Sequence, residues 1–178
     1  RAAHERWLDP ANFDGDGQQR TSLGRSGSTA VAAACDMVGA MDQRISFVTL
    51  AVADLEASRA FYLDGLGWEA ALDVPGEVLM IQAGEHLVLS LWVEADFEAE
   101  VGQIRRGPGV VPVTLAHNVS THDEVDTVLA TARAAGADPV HDAFEREWGG
   151  YSGYFADPDG YRWEVAFNPG PIGQVVLP

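Results

Sequence analysis

Cysteine is nearly missing: Cys35 is the only one in 178 residues. A lone thiol forms no internal disulfide and no cysteine metal cluster, so the expectation is a cytoplasmic protein in a reducing compartment. Long apolar runs are missing as well. None reaches the ~18–20 residues of a membrane span, so no membrane partner is expected. Residues 29–41, TAVAAACDMVGAM, are small and mildly apolar and follow an Arg-containing stretch. Asp36 interrupts them and they lack Leu and Phe, which argues against a secretion signal. Basic residues are scarce: 11 Lys and Arg stand against 27 Asp and Glu, a formal charge of −16. Such a chain repels phosphate backbones, so nucleic acid is not an expected partner. The familiar catalytic signatures are absent too. There is no nucleophile elbow, phosphate-binding glycine loop, HExxH or pair of catalytic carboxylates. The glycines of GEHLVL and RRGPG mark turns.

What is present is a regular order of elements after a different beginning. Residues 1–40 are rich in Gly, Ser, Ala, Asp and Gln and read as a flexible extension, with RWLDPANF as its apolar anchor. Met41 is an alternative start for the folded part. A hydrophobic fraction of 47% then allows a sizeable core. ISFVTLAV alternates and reads as a strand. Asp54 is an N-cap for the helix DLEASRAFYLDGL, which Gly65 and Gly67 stop. WEAALDV, EVLMIQAG and HLVLSLWV are three short strands, and EADFEAEVGQIRRGPG reads as a linker. The order then recurs. VVPVTLAHNV is a strand, and THDEVDTVLATARAAGA is a helix with Val125, Val128, Leu129 and Ala132 on one face. DPVHDAF, YSGYFAD and YRWEVAF are three more strands. VTLA occurs at 48–51 and again at 113–116. The repeated βαβββ order points to an internal duplication.

VTLAVADLEASRAFYLDGLGW in the first half and YFADPDGYRWEVAFNP in the second resemble the vicinal oxygen chelate superfamily, the glyoxalase, bleomycin-resistance and dioxygenase group. The resemblance spans residues 45 to about 169. It implies an α+β fold in which two βαβββ modules, 45–93 and 111–168, form a cleft-enclosing mixed sheet within a domain over 41–170. Residues 171–178 are then a tail. It also implies a homodimer, because related proteins pair and some build their clefts from two chains.

Metal-dependent relatives take His or Glu ligands from the first and last strand of each module, and a catalytic divalent site needs about three protein ligands. The first such position here is Phe47, which cannot ligate. The second is Val88 or Ser90, on the face shared with Trp92. In the second module Thr114, Ala116 and Asn118 face the cleft and His117 faces away, expected to pack under the second helix with one hydrogen bond. Only Glu164 matches a carboxylate ligand, and one carboxylate does not hold a divalent ion against its hydration. No metal and no other cofactor is therefore expected. The alternative recruits His86, His117 or His141 through a shifted strand.

Without a metal, the cleft face reads as Phe47, Thr49, Ser90, Trp92, Thr114, Asn118, Arg162 and Glu164, an aromatic and apolar wall with few polar groups. Trp148 and Tyr151 in WGGYSG are candidates for a lid. DPDG is a turn, and Trp163, Val165 and Phe167 belong to the helix-packed face. Arg162 and Glu164 lie two apart on one face and can pair. Glu164, if buried, would have a raised pKa and could act as a base. Two readings remain. One is a metal-independent protein that binds an aromatic or amphipathic small molecule, as drug-sequestering resistance members do. The other is a glyoxalase- or dioxygenase-type enzyme, metal-dependent or using Glu164 as its base.

Overall fold

In the computed structural model, residue 41 and residues 43–177 are described. The extension 1–40, with Cys35 and the weakly apolar run, lies outside the described residues except at Met41. Strand β1 (Phe47–Val52) leads to Asp54, whose carboxylate accepts from the N–H groups of Glu56 at 3.0 Å and Ala57 at 3.1 Å. That cap starts helix α1 (Leu55–Arg59) where the sequence placed it. The helix then widens into a π-helical stretch over Ala60–Gly65, in which the Leu66 N–H donates to the Phe61 carbonyl at 2.9 Å. Strands β2 (Ala70–Val74), β3 (Val78–Gly84) and β4 (Leu87–Val93) complete the first module.

The segment expected to be a linker is not irregular throughout. Glu94–Glu100 forms helix α2, with Glu94 and Asp96 in its first turn. Acidic side chains there complement the positive end of the helix dipole. Arg106 folds back on Glu94, bonding its two carboxylate oxygens at 2.7 and 3.0 Å. The pairing lowers the Glu94 carboxyl below its ordinary value.

The second module follows the same order. Strand β5 (Thr114–Val119) starts later than VVPVTLAHNV suggested. Helix α3 (His122–Ala134) is capped by Thr121, whose hydroxyl accepts from the Glu124 N–H at 3.2 Å. It buries Val125, Leu129 and Ala132, the stripe read from the sequence. Strands β6 (Val140–Glu145), β7 (Tyr151–Ala156) and β8 (Arg162–Phe167) follow. The expected tail contains a short helix, α4 (Pro171–Val175). Among the described residues no helix is long and apolar enough to cross a membrane.

Each module is a four-stranded mixed sheet. The strand orders are β1-β4-β3-β2 and β5-β8-β7-β6, the same arrangement twice. In each, the first strand runs parallel to the last: Phe47 lies beside Val88 and Ala116 beside Glu164. One apolar cluster serves both modules. Leu50, Leu89 and Leu91 of the first join Val125, Phe155 and Trp163 of the second, all buried. The modules therefore meet through their helix-side faces, and within one chain the two sheets do not close around a cleft. The reason is energetic. Apolar side chains of α1, its π-helical continuation and the inner strand faces leave water only by packing on the other module.

Candidate functional site

The residues singled out as a cleft wall lie on the sheet faces turned away from that core. In the first sheet, Phe47, Thr49 and Ala51 stand beside Val88, Ser90 and Trp92 in register. Phe47 is 55% exposed, which is costly for a phenyl ring that nothing covers. Thr49, Val88 and Trp92 are half-buried. Ser90 is buried, and its hydroxyl has no hydrogen-bond partner among the described residues. This wall is mainly apolar.

In the second sheet, Thr114, Ala116 and Asn118 stand beside Arg162, Glu164 and Ala166. This wall is polar and organised. Glu164 does not pair with Arg162, as the sequence allowed. It accepts a hydrogen bond from the Tyr154 hydroxyl at 2.8 Å, across the β7–β8 register that sets the two residues opposite each other. Burial, followed by that bond to a carboxylate, raises the Tyr154 phenol above its ordinary value. Arg162 Nη1 is buried without a partner among the described residues. Arg146 spreads over the far end of the face. Its Nε donates to the Ser152 hydroxyl at 2.8 Å and its Nη2 to the Ser152 carbonyl at 2.9 Å. The guanidinium lies 3.7 Å from the Phe144 ring centroid and 5.6 Å from that of Tyr154. Sequence reasoning missed Tyr154, Arg146 and Phe144. A signal for Tyr154 existed, because it and Glu164 lie equally far from Asp159 at the hairpin tip.

The two lid candidates separate. Trp148 is 53% exposed at the β6–β7 turn, with its ring over Gly150. Tyr151 is corrected: it lies on the helix side, where its hydroxyl donates to Asp126 of α3 at 2.9 Å and its ring stacks on His122 at 4.5 Å. The alternation of β7 puts odd-numbered residues on that face, so Tyr151 joins Gly153 and Phe155 there. Tyr151 is thus tied to the scaffold and takes no part in this wall.

The DPDG turn has more than a local role. The Gly160 N–H bonds the Asp157 carbonyl at 3.0 Å, closing the expected turn. Asp157 also accepts from the buried Tyr62 hydroxyl at 2.6 Å. Asp159 accepts from the Ala53 N–H at 2.7 Å and the Ser58 hydroxyl at 3.1 Å. Two carboxylates of the second module thereby fasten the first, Asp159 at the entry to α1 and Asp157 at its π-helical continuation. Burial raises the pKa of both above the usual carboxylate range.

A separate groove of about 830 Å³ opens between the modules on the helix side. Val48, Leu87, Leu115 and His117 line it, with Trp68 and Trp163 edge-to-face at 5.6 Å in its wall. His117 faces away from the cleft wall, as expected. It is exposed at the rim rather than packed under the second helix, and its imidazole has no hydrogen-bond partner among the described residues. The protein atoms on its covered side desolvate it and lower its pKa.

The four positions where the resemblance would put ligands hold Phe47, Val88 or Ser90, one of Thr114, Ala116 and Asn118 on the cleft side of β5, and Glu164. Only the last offers a charged oxygen, and it is already bonded to Tyr154. Among the described residues no three His, Cys, Asp or Glu side chains are grouped to hold a metal ion. His86 pairs only with its neighbour Glu85, at 3.5 Å. This donor set does not fit a divalent ion.

Two βαβββ modules, each with its first strand parallel to its last, define the class of the fold. The sequence profile described as the Glyoxalase/Bleomycin resistance protein/Dioxygenase superfamily matches residues 44–165, and the chain belongs to that family. Among solved structures, it is similar to a glyoxalase-related enzyme from Fulvimarina pelagi. That pair shares 37% identity over 71% of this chain and 89% of the other, with a TM-score of 0.65. A glyoxalase/bleomycin resistance protein/dioxygenase from Nocardioides shares 27% over 75% and 92%, with a TM-score of 0.62. A lactoylglutathione lyase from Agrobacterium tumefaciens shares 28% over 72% and 96%, with a TM-score of 0.56. No curated protein sequence matches the chain.

Proposed function

We propose that the protein binds an aromatic or amphipathic small molecule without a metal ion, in a cleft made from the two outward sheet faces. The observation that carries this reading is the bond from Tyr154 to Glu164 at 2.8 Å. It gives the one surviving ligand-type carboxylate a neutral partner of its own. Phe47 and Trp92 supply surfaces on which a flat ligand stacks, and the opposite wall supplies polar groups that orient it. In one chain these walls point outward, so a second copy would complete the cleft by setting the first sheet of one chain against the second sheet of the other. Sequestering a drug is one use of such a site.

Titration of tryptophan fluorescence with a panel of planar antibiotics tests the binding. Saturable quenching, lost in Trp92→Ala, is the expected result. Elemental analysis of protein purified without chelator tests the metal. One tightly held divalent ion per chain would overturn the metal-free reading.

A second reading is favoured by the same carboxylate. Glu164 is half-buried on the open face, where a ligand can reach it, and the lactoylglutathione lyase among the similar structures is an enzyme by its name. Turnover of any bound compound that Glu164→Gln abolishes, with binding retained, would establish Glu164 as a base and replace the sequestration reading.

A further inference from the structure

Arginine is used unevenly in this acidic chain. Arg59 pairs with Glu56 and Asp73, Arg106 with Glu94 and Glu98, and Arg133 with Asp142. Among the described residues, Arg146 and Arg162 engage no carboxylate, although the chain has 27 acidic residues. Both lie on the outward face of the second sheet. Arg146 is held in place without being neutralised, by two bonds to Ser152 and a stack on Phe144. Those bonds use Nε and Nη2, so the N–H groups of Nη1 remain free to donate. Ser152 is fully buried beneath it, so the guanidinium is a fixed lid over the sheet rather than a loose surface charge. Arg162 Nη1 is buried and has no partner, an expensive state for a charged donor unless something else supplies an acceptor. Ser152 and Ala156 mark the two ends of β7 on this face, so the arginines stand roughly 13 Å apart at ~3.3 Å per residue, with Glu164 between them.

We infer that the ligand of this face is an anion, an aromatic or apolar body bearing a carboxylate, sulfonate or similar group that Arg146 grips, with Arg162 biasing the face further against cations. This rests on the reading that the outward face of the second sheet is a binding wall, and it narrows that reading to a substrate class. An arginine held along one edge presents its remaining donors to an oxyanion in a set geometry. Phe144, 56% exposed beside it, offers the apolar body a surface. The overall charge of −16 would repel an anion at long range, so recognition has to be local and short-ranged.

The test uses two probes with one ring system. Anilinonaphthalene sulfonate carries the anion, and phenylnaphthylamine is the same body without it. The full-length protein should bind the sulfonate about tenfold more tightly than the neutral probe, an advantage in the range of one charge-assisted contact. Arg146→Gln should remove that advantage and leave the neutral probe within twofold, which also reports that the face is intact. Arg133→Gln, on helix α3 behind the sheet, should change neither. A sulfonate advantage that survives Arg146→Gln, or the absence of any such advantage in the unmodified protein, would overturn the inference while leaving the binding wall standing. Failure of the unmodified protein to bind either probe would overturn the binding wall and the inference together.

Discussion

Tyr62 is the residue on which both modules depend. Its hydroxyl donates to Asp157 at 2.6 Å and accepts from the Trp163 indole at 3.1 Å, with no exposed surface. Tyr62→Phe keeps the ring and strands two buried polar partners. A loss of about 1–3 kcal/mol is expected, read by chemical denaturation. Asp157 adds a pH dependence of definite sign. Burial raises its folded pKa, so the folded state binds its proton more readily than the unfolded chain. The stability this supplies is complete below the ordinary carboxylate range and is lost as pH rises through the raised value. Wild type should therefore gain on Asp157→Asn in melting temperature as pH falls from neutral towards 4. A gap that stays constant with pH would contradict this. At this scale the sequence was legible where chemistry is local. Asp54 and the DPDG turn sit where their side chains dictate. Glu164 was legible by resemblance, and its partner Tyr154 was open to reading only through the symmetry of the hairpin about Asp159. Arg146 reaches its site through the irregular β6–β7 register between His141 and Phe144, which no alternation rule anticipates.

Elements meet closely at two glycines. A methyl group at Gly153 would lie 2.6 Å from Leu129 Cδ1, 2.7 Å from the His141 carbonyl oxygen and 2.9 Å from the Ala143 nitrogen. Gly153→Ala should cost about 1–3 kcal/mol, measured by thermal or urea unfolding, because α3 must withdraw from β7. Gly65 is comparably close to the Ala135 methyl, where the π-helical stretch passes the end of α3. That stretch was read as ordinary helix. Neighbours on an α-helix point about 100° apart, yet Phe61 and Tyr62 are both buried, at 3% and 0% exposure. The wider turn lets both point inward, and the pattern of apolar residues alone does not distinguish it from an α-helix. Helix α2 was missed for a different reason. Seven residues are too few for a period to show, and the helix is held by Arg106 from a later loop.

For the whole molecule, the repeat was legible and the choice of faces was not. Alternation sorts residues into two faces of a strand without saying which module covers which face. The outcome, helix sides together and Phe47 outward, carries the expectation of a dimer. Light scattering should give twice the 19.0 kDa chain mass, and Phe47→Asp should return the monomer. A monomeric wild type that still saturates with ligand would contradict the two-chain cleft. The latch between the modules also sets an order of events during synthesis. Asp157 and Trp163 lie 95 and 101 residues after Tyr62, so the first module leaves the ribosome long before its partners exist. Until the last hairpin arrives, Phe61, Leu79 and Leu91 lack Phe155, Trp163 and Val165, the hairpin's part of their shared core. Chains that terminate before Asp157 would then be clients for chaperones and proteases rather than smaller working proteins.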